Sequence, residues 1–224
     1  MKKNVLVVAA HPDDEVLGCG GTIAKHISEG DKVYSVFMTN GINSRTKVNE
    51  KDIEQRLKSS ELAQSILGIS SSYYLDYPDN SIDTIPILEL VKKLEKIIDE
   101  IKPSIVYTHH HSDLNVDHRL TYTSVMTACR PNPKTTVQEI YGFEVLSSTE
   151  WSVPHNALFI PNFFVEISKQ FNLKIQALEA YIDEMRDPPH SRSLKHAEVL
   201  AQHRGYSTGV ELAEAFEVYR IMKL

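Results

Sequence analysis

The sequence predicts an α/β fold: a mostly parallel sheet with helices on both faces, in a single domain. Three observations carry this. Short, almost wholly apolar runs recur, as in Val5-Leu6-Val7-Val8 and Ile105-Val106-Tyr107. Segments with helical spacing alternate with them. The length of 224 residues suits one sizeable α/β domain. A strand that is apolar at every position is buried on both faces, which marks a parallel sheet between helical layers.

The elements follow in order. A strand is predicted over residues 5–9 and a helix over 17–28. Strands over 33–38 and 72–75 alternate with helices over 53–67 and 86–101. In the latter, Leu88, Val91, Leu94 and Ile98 recur at spacings of three and four and make one apolar face. A strand over 105–108 leads to a helix over 118–129. Strands over 140–145 and 163–167 precede a helix over 168–185. The character then changes. Pro188-Pro189-His190-Ser191-Arg192-Ser193 reads as a turn, followed by a helical segment to His203. A break between Gly205 and Gly209 precedes a last helix over 210–222. Residues 1–224 thus form one domain, with a C-terminal helical portion, about 168–224, packed on it. Residues 41–52 are polar and read as a loop near the functional site.

Composition excludes several classes. The net charge of −6 argues against a general nucleic-acid binder. Cys19 and Cys129 are the only cysteines, so neither a disulfide framework nor a cysteine-based zinc knuckle is expected. No apolar run reaches the roughly 18 residues of a membrane span. The first apolar run is too short for a signal peptide, so the chain reads as cytoplasmic.

The most informative stretch is Ala9-Ala10-His11-Pro12-Asp13-Asp14-Glu15. It puts one histidine and three acids on the turn leaving a buried strand. His11 and Asp14 lie three apart, which on a turn opening a helix can direct both side chains to one point. Imidazole nitrogen and carboxylate oxygen are ordinary zinc ligands. Asp13 then projects elsewhere, free to take a proton from a water that zinc has acidified. Glu15 begins the helix, where negative charge suits the macrodipole. An acidic helix N-terminus alone would leave His11 and the third acid unexplained. Gly18-Cys19-Gly20-Gly21 lacks the spacing of a dinucleotide loop and follows acids that would repel a pyrophosphate. These glycines are expected to let the helix pack closely on the sheet.

A second cluster, His110-His111-Ser112-Asp113-Leu114-Asn115-Val116-Asp117-His118, leaves another strand end. In parallel sheets ligands bind beyond the carboxyl ends of strands, so both clusters suit one metal site. His118 is the third ligand of choice. Asp113 and Asp117 are placed to orient imidazoles, as ligating histidines require. His110 or His111 can act as proton donor or oxyanion stabiliser, and Asn115 can donate a hydrogen bond there. His26, His155, His196 and His203 read as ordinary structural or surface residues.

Together these motifs resemble the LmbE/PIG-L family of zinc-dependent N-acetyl-sugar deacetylases. The resemblance rests on Ala-His-Pro-Asp-Asp-Glu near the N-terminus and a later His-x-x-Asp-x-Asn-x-Asp-His, and covers at least residues 3–130. Phe143-Glu144, Ser148-Thr149-Glu150-Trp151, the stretch from Glu184 to Arg192 and Ala213-Glu214-Ala215-Phe216 are similar to one bacterial branch of it. The resemblance implies a Rossmann-like fold. It implies zinc on His11, Asp14 and His118, Asp13 as general base, and hydrolysis of an acetamide to acetate and a free amino sugar. The chain departs from the pattern at Asn115, where several types carry a histidine. His110, His111, a tyrosine or the metal alone must then polarise the carbonyl.

Arg45, Arg186, Arg192 and Arg204 are candidates for holding the rest of a substrate, and Arg192 suits a phosphate or carboxylate. Glu144 and Trp151 can line a sugar pocket. The partner implied is a small N-acetylated sugar, of N-acetylglucosamine type and free, lipid-linked or nucleotide-linked. A His/Asp/His site also accepts Fe2+, and a homo-oligomer is compatible with the sequence. Competing readings are an amidase for another N-acyl or thiol-conjugate substrate, a non-catalytic metal-containing sugar-binding module and a nucleotide-binding Rossmann protein. A retained Asp13 disfavours the second, and the missing glycine fingerprint disfavours the third.

Overall fold

The computed structural model describes residues 2–41, 50–133, 135–153 and 157–223. The first apolar runs form β1 (Asn4–Ala9) and β2 (Lys32–Thr39), with α1 (Asp14–Ser28) between them. The alternation continues through α2 (Glu50–Leu67), β3 (Ser71–Tyr77), α3 (Ile87–Ile101), β4 (Ile105–His109), α4 (Val116–Ala128) and β5 (Glu139–Phe143). After β6 (Phe163–Glu166) come α5 (Phe171–Ala180), α6 (Leu194–Tyr206) and β7 (Ala213–Ile221). All seven strands join one sheet in the order β3-β2-β1-β4-β5-β7-β6. The first five in that order are parallel, whereas β7 runs antiparallel to both β5 and β6.

The two faces of β1 bury different helices. Val5 and Val7 pack with residues of α1, α2 and α5, including Leu17, Ala63 and Leu178. Leu6 and Val8 pack with α3 and α4 through Leu90, Leu94 and Val125. Helices therefore cover both sides, as predicted from the unbroken apolar strands. The apolar face of α3 is rotated from the predicted one. Leu90, Val91, Leu94, Ile97 and Ile101 are buried, while Leu88 is exposed. Both sets obey helical spacing, and the packing of α3 on the sheet selects between them.

The last predicted helix is instead β7. Its glutamates Glu214 and Glu217 are buried acceptors. Glu214 takes the Lys174 ammonium at 2.6 Å and the backbone N–H groups of Gly21 and Thr22 at 2.9 and 2.6 Å. Glu217 takes the Ile160 N–H at 2.7 Å. Partners supplied by distant segments thus override the local pattern. The portion from about 168 to 224 is consequently not helical throughout, because it returns one strand, β7, to the common sheet.

The glycines of α1 serve close packing, as predicted. The helix departs from helical geometry at Cys19 (φ −147°, ψ 24°). A Cβ on Gly21 would lie 2.7 Å from Ile167 Cδ1 and 2.9 Å from its Cβ, and one on Gly18 would strike the Phe143 ring. Gly21→Ala is expected to overpack this contact and cost about 1–3 kcal/mol, read from the denaturant midpoint. An unchanged midpoint would show that the close approach is not needed.

The topology places the site. From β1 the chain winds outward to β2 and β3, then crosses back to β4 on the other side of β1. Connections leaving β1 and β4 diverge, and a crevice opens between their carboxyl ends.

Candidate active site

His11 follows β1, and Asp14 opens α1. Across the crevice, His118 lies in the first turns of α4, after the loop from β4. All three are buried. His11 Nδ1 stands 3.0 Å from Asp14 Oδ2. His118 Nε2 stands 3.3 Å from each of those atoms. Two ring nitrogens and one carboxylate oxygen thus converge, as the three-residue spacing and the second cluster predicted.

The other ring nitrogens are spoken for. His118 Nδ1 is 3.1 Å from Asp113 Oδ1, and Ser148 and Thr149 hydroxyls donate to the same carboxylate. His11 Nε2 faces Asp79 Oδ1 at 3.2 Å and Asp117 Oδ2 at 3.3 Å. Asp117 is itself held by the backbone N–H groups of Asn80 and Ile82, at 2.7 and 3.2 Å. Each imidazole therefore donates to a carboxylate on one side and presents its other nitrogen to the centre, the usual setting of a metal-ligating histidine.

The electrostatics agree. Burial disfavours a charged His118, yet Asp14 and Asp113 outweigh it and raise its pKa to about 9. Burial likewise opposes ionisation of Asp14, but His118 and His11 hold it well below the usual carboxylate range. A buried centre with this much negative charge attracts a cation. Asp14 Oδ1 is buried and has no hydrogen-bond partner among the described residues. The two-nitrogen, one-oxygen donor set and that orphaned oxygen fit a divalent transition metal.

Asp13 sits beside this group in an unusual conformation. Its φ of 114° and ψ of −31° lie where non-glycine residues rarely go. Its backbone N–H is held by Glu15 Oε2 at 2.9 Å. Glu15, in the first turn of α1 as expected, is fully buried and also accepts from Gln64 and Tyr181 at 2.7 and 2.9 Å. Asp13 Oδ2 receives Arg192 Nη1 at 2.9 Å and lies 3.4 Å from Arg56 Nη2. Oδ1 is left without a partner among the described residues. Burial raises the Asp13 pKa despite the two guanidinium groups.

A cleft of about 230 Å³ opens above these groups, walled by Asn80, Asn115, Glu184, Arg186 and Arg192. Asn115 caps α4, accepting the Asp117 N–H at 2.8 Å, and its amide donates to Asn80 at 3.3 Å. Arg192 reaches the site but is shared between Asp13 and Ser147, whose hydroxyl takes its Nε–H at 2.8 Å.

Several predicted site residues, His110, His111, Glu144, Arg204 and Trp151, do not line the cleft. His110 contacts Glu217 and the Ala157 carbonyl, at 2.8 and 3.1 Å, rather than the triad. It is the neighbouring His109 that packs on His118, with ring centroids 3.9 Å apart, while accepting the Ala10 N–H at 2.8 Å. Burial keeps His109 neutral by pushing its pKa well down. Glu144 is held in a two-pronged ion pair by Arg204, at 2.8 and 2.7 Å, and does not line the cleft. Arg45 and His155 lie outside the described residues, as do residues 42–49 of the polar loop. Trp151 is half exposed.

Sequence reasoning missed Asp79 and Arg56. Asp79 follows the carboxyl end of β3, so the strand-end rule that found the two histidine clusters applied to it as well. Arg56 lies in the middle of α2 and carries no local signal.

Residues 6–129 match the PIG-L family, described as GlcNAc-PI de-N-acetylase. The chain is 32% identical over 186 residues to an uncharacterised deacetylase, YaiS, of Escherichia coli K12, covering 80% of this chain and 91% of that protein. It is 28% identical over 188 residues to a probable N-acetyl-alpha-D-glucosaminyl L-malate deacetylase 2 of Bacillus cereus, covering 81% and 83% of the two chains. Among solved structures, the N,N'-diacetylchitobiose deacetylase of Pyrococcus horikoshii superposes with a TM-score of 0.78 and 25% identity, covering 97% of this chain and 84% of that one.

Proposed function

The chain belongs to the PIG-L family, and on that premise we propose that it is a zinc-dependent hydrolase that removes the acetyl group from an N-acetylated sugar. The substrate is of N-acetylglucosamine type, the class named for the Bacillus cereus and Pyrococcus horikoshii relatives. The carrying observation is the convergence of His11 Nδ1, Asp14 Oδ2 and His118 Nε2 beside a carboxylate oxygen of Asp13 that has no partner among the described residues.

His11, Asp14 and His118 would hold the ion. When bound, such an ion supplies positive charge that acidifies water and polarises an amide carbonyl. Asp13 acts as the general base through Oδ1, taking a proton from the attacking water. Arg192 and Arg56 hold the opposite oxygen and so aim the carboxylate. The proton then passes from Asp13 to the departing amine nitrogen. Asn115, on the cleft wall, contributes a side-chain amide toward the acetamide oxygen. Acetate and a free amine result.

Acetate release from a panel of N-acetylglucosamine, diacetylchitobiose and N-acetylglucosaminyl glycosides tests the reading. Turnover of at least one sugar, with release of one acetate per amine exposed, is expected. Release from none, by protein with its metal bound, would contradict it.

A further inference from the structure

We infer that His110, His111 and Glu217 form a second cation site, separate from the catalytic centre and suited to a zinc-class ion. The three come from the carboxyl end of β4 and from β7. One ligand atom of each lies within 4.8 Å of the others.

Partners hold the outer atoms of two of the three residues, His110 Nε2 and Glu217 Oε1. His110 Nε2 is 3.1 Å from the Ala157 carbonyl, which accepts its hydrogen and leaves Nδ1 as the ligating nitrogen. Glu217 Oε1 takes the Ile160 N–H at 2.7 Å, which turns Oε2 toward the histidines. The Tyr219 hydroxyl donates to Oε2 at 3.1 Å and accepts the His111 backbone N–H at 3.2 Å. The carboxylate and the second histidine are thereby set in place before any ion arrives.

A plain ion pair explains only part of this. His110 Nδ1 and Glu217 Oε2 stand 2.8 Å apart, as a charged hydrogen bond would have them. His111 Nδ1 remains, 3.7 Å from the same oxygen, buried and without a hydrogen-bond partner among the described residues. An unsatisfied buried ring nitrogen costs free energy. A cation that displaces the shared proton satisfies all three atoms together. Two imidazole nitrogens and one carboxylate oxygen select a borderline ion such as zinc over calcium or magnesium. The His111 side chain is 36% exposed, which gives the ion a route in. Once bound, it ties β4 to β7 and stabilises the folded chain by mass action.

The test is zinc stoichiometry on untagged protein, first stripped with chelator and then equilibrated with zinc alone. Wild type is expected to hold two equivalents. H111A and E217Q are each expected to keep one, the retained equivalent showing that the variant has folded around its catalytic centre. Their second equivalent should weaken by more than about 10-fold, the least that follows even from loss of an outer partner. H118A should instead keep the H111A-sensitive equivalent, so failure of the catalytic reading would leave this one readable. A single equivalent in wild type, lost in H118A, would overturn the second site. So would two equivalents of unchanged affinity in both H111A and E217Q.

Discussion

Asp13→Asn is expected to leave the fold and bound metal intact and to lower kcat by about 10²–10⁴-fold, the range for loss of a general base. The substitution is close to isosteric, so the backbone at position 13, anchored by Glu15, need not move. An amide cannot accept a proton from water, whichever way Arg192 and Arg56 orient it. Because Asp13 is not among the three converging donors, metal content should stay at the wild-type value. A variant with kcat within a few-fold of wild type would remove Asp13 from the mechanism. A variant that lost its metal would show that Asp13 belongs to the ligand set instead.

The second large effect is expected at His118. His118→Ala removes one of three donors, and metal content at the catalytic centre should fall below detection under conditions that load wild type. Activity should fall by more than about 100-fold, beyond the 10–100-fold seen when only an outer partner is lost. Asp113 and Asp14 also lose a charged partner in a buried setting. Breaking such a network costs on the order of 3–5 kcal/mol, so the metal-free variant should unfold at lower denaturant than metal-free wild type. Full metal content and activity in this variant would refute the ligand assignment.

Much of this was legible in the sequence because it is local. His11, Asp13 and Asp14 occupy one turn, and strand-then-helix patterning places that turn at the carboxyl end of a buried strand. The same logic brought His118 across from β4, since neighbouring strand ends at a switch of winding direction share a crevice. What could not be read depends on partners far away in sequence. Glu214 and Glu217 look like a helical polar face until Lys174, Gly21 and Ile160 meet them in the folded chain. Glu144 looks available for a ligand until Arg204 claims it. The choice among His109, His110 and His111 turns on how strand β4 ends, because consecutive side chains point to opposite faces. His109 faces His118, and His110 faces Glu217. Arg56 reaches Asp13 from the interior of a helix whose sequence gives no hint of it.

The most direct measurement is acetate release before and after metal removal, on the best substrate of the sugar panel. Chelator treatment should abolish release, and zinc added back in slight excess should restore it in wild type but not in Asp13→Asn. Release that persists undiminished in metal-free protein would contradict a metal-dependent deacetylase centred on His11, Asp14 and His118.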